Sequence, residues 1–192
     1  ALAARNRVRS LALLCTFARG RDATRLSPRM IWTGLRTGVR TRRQRRQAFL
    51  KLVLPPDTLA TADLDAMAEE LAPLFGHDLA DQPSIAMRQL QAMGRYDATP
   101  RLNELSGVPT LVVSAANDRI ARPELGRALA VGVPGARYVE LENAAHGVPI
   151  ERPAQINKLL LEHFDQSERT RIAASRHQNA KRAILPGSDF KG

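Results

Sequence analysis

Only one cysteine, Cys15, occurs in the 192 residues. Neither an intramolecular disulfide nor a thiolate metal site can be built from it. Its place inside the apolar run 8–17 (VRSLALLCTF) gives it the role of a small buried hydrophobe. No apolar stretch approaches the roughly 20 residues that cross a bilayer, which excludes a membrane-spanning helix and reads as a cytoplasmic protein. The chain begins at Ala1, without Met, which leaves open whether a signal peptide precedes it. Aromatic residues are scarce at 4%, so the stacking platforms that hold single-stranded nucleic acid have little to draw on. Acids are missing from one place in particular: residues 36–51 carry seven basic groups (Arg36, Arg40, Arg42, Arg43, Arg45, Arg46, Lys51) and none.

What is present is a globular composition, 44% hydrophobic and 25% charged, long enough for one substantial core. The formal charge of +10 is local. The 36–51 run supplies +7 and residues 167–192 another +4, so the remainder is close to neutral. Three readings of the run stay open: a solvated helix face, a patch steering anionic substrates, and a nucleic-acid surface. The last is disfavoured because Phe49 is the only ring in it and no helix-turn-helix or zinc pattern frames it.

Residues 8–17 have the length and continuous apolarity of a strand buried on both faces of a parallel sheet, and 1–5 reads as the end of a preceding helix. From 18 to 100 the pattern turns helical. Leu64, Met67, Leu71 and Leu74 recur at helical spacing behind Thr61 or Asp63 as caps, and Ser84 is placed to cap a helix bearing Ala86, Leu90 and Met93. After Gly107, strand and helix alternate: a strand at 108–114, a helix opened by Pro123, a strand at 137–141 and a helix opened by Pro153 with Ile156, Leu159, Leu160 and Phe164 on one face. Such alternation implies parallel strands joined by right-handed crossovers. The expected division is 1–17 as core, 18–100 as a helical cap, 101–166 as the C-terminal core, and 167–192 as a loose basic tail.

Two loops carry chemistry. Ala115-Ala116-Asn117-Asp118 follows one strand and Ala144-Ala145-His146-Gly147 follows the next. Groups at the carboxyl ends of neighbouring parallel strands face a common crevice. Asp118 and His146 are therefore expected to meet. A buried carboxylate that receives an imidazole N–H fixes its tautomer and leaves the other nitrogen to deprotonate a nucleophile. Taken singly, an Asp at a strand end is a turn or cap residue; equivalent positions after successive strands are what make the pair informative.

The segment 102–164, with its strand ending in an acid, its Pro-Gly-Ala turn, its His loop and the Glu-x-Pro entry to the last helix, resembles the C-terminal part of the α/β-hydrolase family. The resemblance implies an α/β fold with an inserted helical cap at 18–100, Asp118 and His146 as triad acid and base, and hydrolysis of an ester, lactone or similar small molecule, as in enol-lactonase-like and small carboxylesterase members; haloalkane dehalogenases, C–C hydrolases and peroxidases use related scaffolds, and Ser or Asp at the elbow stays open. The resemblance implies no cofactor and no metal. In that family the order is nucleophile, acid, base. The expected G-x-S-x-G elbow is absent, for none of Ser10, Ser27, Ser84, Ser106, Ser114, Ser167, Ser175 and Ser188 has the two flanking glycines. Either the chain is part of a longer enzyme whose nucleophile lies upstream, or it is a non-catalytic relative or a basic binding module. Met30, Trp32, Met67, Phe75, Met87 and Met93 are candidates for lining a pocket, with core packing as the commoner role.

Overall fold

A computed structural model describes residues 1–23, 41–81 and 85–184. Three strands form one parallel sheet in the order β1-β2-β3: β1 (Leu11–Leu14), β2 (Thr110–Ala115) and β3 (Arg137–Leu141). Leu11 to Leu14 stand opposite Thr110 to Val113, and Leu111 to Ala115 stand opposite Arg137 to Leu141. The helices are α1 (Gly20–Ala23), α2 (Arg42–Val53), α3 (Pro56–Thr61), α4 (Leu64–Phe75), α5 (Ala86–Arg95), α6 (Pro123–Gly132), α7 (Val148–Glu151) and α8 (Pro153–Ile184). None of these is long and apolar enough to cross a membrane.

β2 is the middle strand and all six of its residues are buried. Its side chains alternate between two apolar layers, as the two-residue period of a strand demands. Leu111, Val113 and Ala115 join Leu141, Ala144, Val148 and Ile156, with Leu159 and Leu160 of α8 against them. Val112 joins Leu102, Leu105, Leu129 and Val133 on the α6 side. A third cluster, Leu50, Val53, Leu54, Ala68, Leu71 and Leu79, belongs to α2, α4 and the loop after α4. This cluster lies within residues 50–79, with Ile120 packed against it. The chain leaves and re-enters the sheet region side by side, with Ala98 N–H donating to the Ala18 carbonyl at 2.9 Å and an isolated antiparallel bridge between Arg19 and Asp97.

Local signals explain the element ends. Asp63 caps α4 by accepting from the backbone N–H groups of Asp65 and Ala66, and Gly76 closes that helix at φ +70° in the left-handed region open to glycine. Thr41 caps α2 in a reciprocal box with Gln44. Ser84, expected as a cap, lies outside the described residues; α5 begins at Ala86.

Three expectations need correction. The end of a helix expected at 1–5 is a turn followed by one 3-10 turn, Arg5–Arg7, too short for an i→i+4 ladder. The strand expected over 8–17 pairs only over Leu11–Leu14, because Cys15 turns the backbone out of the extended region at φ +45°. The tail at 167–192 is not loose where it is described, since α8 continues to Ile184. Its apolar stripe fades after Phe164, but the Glu, Arg, Ala, Gln and Lys residues that follow keep intrinsic helix propensity, which holds the backbone after periodicity ends.

Candidate functional site

The C-terminal ends of β2 and β3 are stitched together by backbone hydrogen bonds. Ala116 N–H donates to the Leu141 carbonyl at 3.0 Å, and Asn117 N–H to the Ala144 carbonyl at 2.8 Å. This brings the loop carrying Asp118 against the loop carrying His146. Asp118 is completely enclosed, its side chain 0% exposed, while that of His146 is 31% exposed.

The carboxylate of Asp118 is fully engaged. One oxygen accepts from the Ile120 and Ala121 N–H groups at 2.7 and 2.8 Å; the other faces His146 Nδ1 at 2.8 Å. Two backbone donors hold the acid still and offset the cost of burying its charge. With Nδ1 engaged, Nε2 is the ring nitrogen left for chemistry, the arrangement in which a histidine serves as a general base.

Cys15, at the end of β1, completes a cluster in which its sulfur, an Asp118 oxygen and a His146 nitrogen lie within 4.8 Å of one another. Burial, then the Asp118 charge, pushes its thiol up to about 12. The thiol therefore stays protonated near neutrality, close to the Asp118 carboxylate. Three such residues are a conceivable metal-ligand set, but a cation would need the thiolate that this environment opposes, and would have to take Asp118 from the imidazole. The donor set fits a proton-handling site better. From the sequence Cys15 reads only as buried; its position at the end of a strand, level with the two loops, was the available signal.

Ser114 is buried within β2 and packs against α6, where a Cβ on Gly126 would come to 2.0 Å of its hydroxyl. It has no elbow geometry, as its place in a strand implies. Met67 packs at the edge of the cluster formed by α2 and α4, and Phe75 meets Phe49 edge to face with centroids 5.5 Å apart, so both have packing roles. Met30 and Trp32 lie outside the described residues, and Met87 falls on α5. A cavity of about 230 Å³, lined among others by Phe17, Arg19, Leu102, Leu125 and Leu129, opens between α6 and residues 17–22 without touching Asp118 or His146.

Three of the five described basic residues of the run are paired with acids at close range. Arg42 pairs with Asp78 and Asp81 at 2.9 and 3.0 Å, Arg43 Nε donates to Asp65 at 2.7 Å, and Arg46 Nε donates to Asp78 at 2.8 Å. The Arg46 hydrogen bond comes first among the causes that hold the Asp78 carboxyl far below the usual carboxylate range. These pairs tie α2 to α4 and to the loop after it. Arg36 and Arg40 lie outside the described residues.

His163 on α8 is 6% exposed, and its Nε2 is buried without a hydrogen-bond partner. Burial pulls its pKa below the ordinary 6.5, the Arg137 charge adds to that, and a hydrogen bond to the Leu11 backbone opposes it. A folded pKa below the unfolded one means that the neutral ring stabilises the fold above the unfolded value, and that this is lost as pH falls through the folded value. Stability should decline below about pH 6.5, and His163→Leu should flatten that decline. Urea midpoints at pH 7 and pH 5 test this; parallel pH profiles for the two proteins would refute it.

No protein-family model matches the chain. It is 34% identical over 149 residues to a pimeloyl-[acyl-carrier protein] methyl ester esterase of Neisseria meningitidis, an alignment covering 76% of this chain and 56% of the esterase. Among solved structures it superposes on Rv0554 of Mycobacterium tuberculosis with a TM-score of 0.67 and 22% identity, covering 86% of this chain and 59% of the other. It also superposes on the enol-lactonase of Burkholderia xenovorans with a TM-score of 0.60 and 24% identity, covering 85% and 60%. The chain spans less than two thirds of the length of each of these relatives.

Proposed function

Because this chain belongs to the α/β-hydrolase fold family, we propose that Asp118 and His146 are the acid and base of a catalytic triad in a hydrolase of an ester, lactone or similar small carbonyl substrate. The hydrogen bond of 2.8 Å between them, on an enclosed and doubly anchored carboxylate, carries the reading. In it, residues 1–17 and 101–166 are core and 18–100 are the cap.

This reading takes the nucleophile, a Ser or an Asp, from residues other than these 192, because no serine here stands in a G-x-S-x-G turn. The partly exposed apolar residues of β1, at one edge of the sheet, are consistent with further strands pairing there. In the proposed reaction, with Ser in that role, the nucleophile hydroxyl attacks the substrate carbonyl as its proton passes to His146 Nε2. The imidazolium, held by Asp118, then returns that proton to the leaving alcohol or ring oxygen. Water repeats the sequence in reverse to release the acid. The relatives named as an esterase and an enol-lactonase favour this substrate class.

The 192 residues alone are expected to hydrolyse an activated ester no faster than their own His146→Ala variant, because a base without nucleophile and oxyanion hole lacks the main rate-raising groups. His146-dependent turnover by this chain would show that it supplies its own nucleophile. An upstream reading frame without an elbow would instead favour the non-catalytic relative.

The arginine pairs favour a structural role for the basic run. In the protein that includes the nucleophile, replacing Arg42, Arg43 and Arg46 together by Gln should lower Tm while changing kcat/KM equally for a carboxylate-bearing ester and a neutral one at low salt. A selective fall for the anionic ester would restore substrate steering. Salt-sensitive binding to duplex DNA, lost in the variant, would mark a nucleic-acid surface.

A further inference from the structure

Two hydrogen bonds join residues 53–58 to the segment that directly follows His146. Gly147, the next residue, donates its N–H to the carbonyl of Val53 at the end of α2, at 2.7 Å. The approach is so close that a Cβ on Gly147 would stand 2.9 Å from that carbonyl oxygen. Four residues further on, Glu151 closes the one-turn helix α7, its N–H donating to the Gly147 carbonyl at 3.0 Å. One oxygen of its carboxyl accepts from the hydroxyl of Thr58 on α3 at 2.9 Å, while the other is buried without a partner.

On the core side the same loop is held by Arg152, whose guanidinium donates to the carbonyls of Glu142, at 2.9 Å, and Asn143. The His146 loop is thus suspended between the core and the α2–α3 corner of the cap. That corner is itself rigid: Val53, Leu54 and Pro55 are buried in succession. A half-buried carboxyl with one enclosed oxygen left unpartnered is costly to keep, and more so if its single side-chain donor is removed.

We propose that Thr58 is a positioning residue for His146, acting through Glu151 and α7, so that the α2–α3 corner of the cap holds the triad base in register with Asp118. The inference rests on the reading of His146 as the base. Displacement of that corner then moves the imidazole.

The test is NMR on the 192-residue chain, following the His146 ring resonances and the exchange rate of the Gly147 amide. Thr58→Val should shift or broaden the ring resonances and speed Gly147 exchange by about tenfold, the scale of losing one hydrogen bond. Thr58→Ser, which keeps the hydroxyl, should restore both. Thr170→Val, on a hydroxyl that donates to its own helix at Gln166, should change neither. Unchanged ring resonances or unchanged Gly147 exchange in Thr58→Val overturns the proposal, as does failure of Thr58→Ser to restore them. A far-UV spectrum of Thr58→Val matching the wild type separates a local effect from unfolding, and if that variant unfolds, Glu151→Leu supplies the same comparison from the other partner. Absence of an Asp118-dependent imidazole N–H signal in the wild type would strike the triad reading instead, because the Thr58 comparison does not depend on that signal.

Discussion

Asparagine in place of Asp118 is expected to reduce kcat for ester hydrolysis about 10⁴-fold in the protein that includes the nucleophile, and His146→Ala by at least as much. The expectation follows from what each oxygen of Asp118 does. One is held by the Ile120 and Ala121 amides and the other receives His146 Nδ1. An amide side chain can still accept from the two backbone groups with its oxygen, but its NH₂ then faces Nδ1 and forces the proton onto Nε2. The ring is left in the wrong tautomer to take a proton there. The backbone geometry survives while the base is lost, so the defect should appear in kcat with little change in KM or Tm. Single-turnover measurements with an activated ester check this. A loss below tenfold would mean that Asp118 caps its turn and does no more.

The largest effect on stability is expected at the centre of the sheet. Leu111 is 0% exposed and lies in the layer between β2 and α8. Truncation to Ala removes buried methyl groups and leaves a cavity that fixed backbone on both neighbouring strands cannot close. Such changes cost about 2–5 kcal/mol, against a total stability for ordinary domains of about 5–15 kcal/mol. Val131→Ala on α6, at 86% exposure, is the control and should stay within about 0.5 kcal/mol of the parent. Urea unfolding of the three proteins gives the comparison. Similar midpoints for all three would mean that this layer is not packed as described. Leu50→Ala, in the cluster shared by α2 and α4, should loosen that cluster and, through Val53, the hold on the Gly147 amide.

Much of the fold was legible because its signals are local. β3 spans the expected Arg137–Leu141, and Pro123 and Pro153 open α6 and α8. A proline at a helix start and an apolar run of strand length act through neighbouring residues, so they are visible without tertiary information. The limits of local reasoning appear where a contact partner sets an element's end. β1 is shorter than its apolar run because pairing with β2 and the turn at Cys15 define it. α8 outlasts its apolar stripe because backbone propensity carries it through the exposed residues 169–176 and onward.

The candidate site divides in the same way. The sequence by itself determined that an acid and a histidine follow successive strands, since strand, loop and chain order are written in adjacent residues. Only the tertiary structure decided that Cys15 stands beside Asp118, that Arg42 and Arg46 share Asp78, and that Val53 and Thr58 grip the loop of His146. Those partners lie far apart in the chain, Thr58 and Glu151 by 93 residues. Their meeting depends on sheet register and on the angle at which the cap packs, and neither quantity leaves a periodic trace in the order of amino acids.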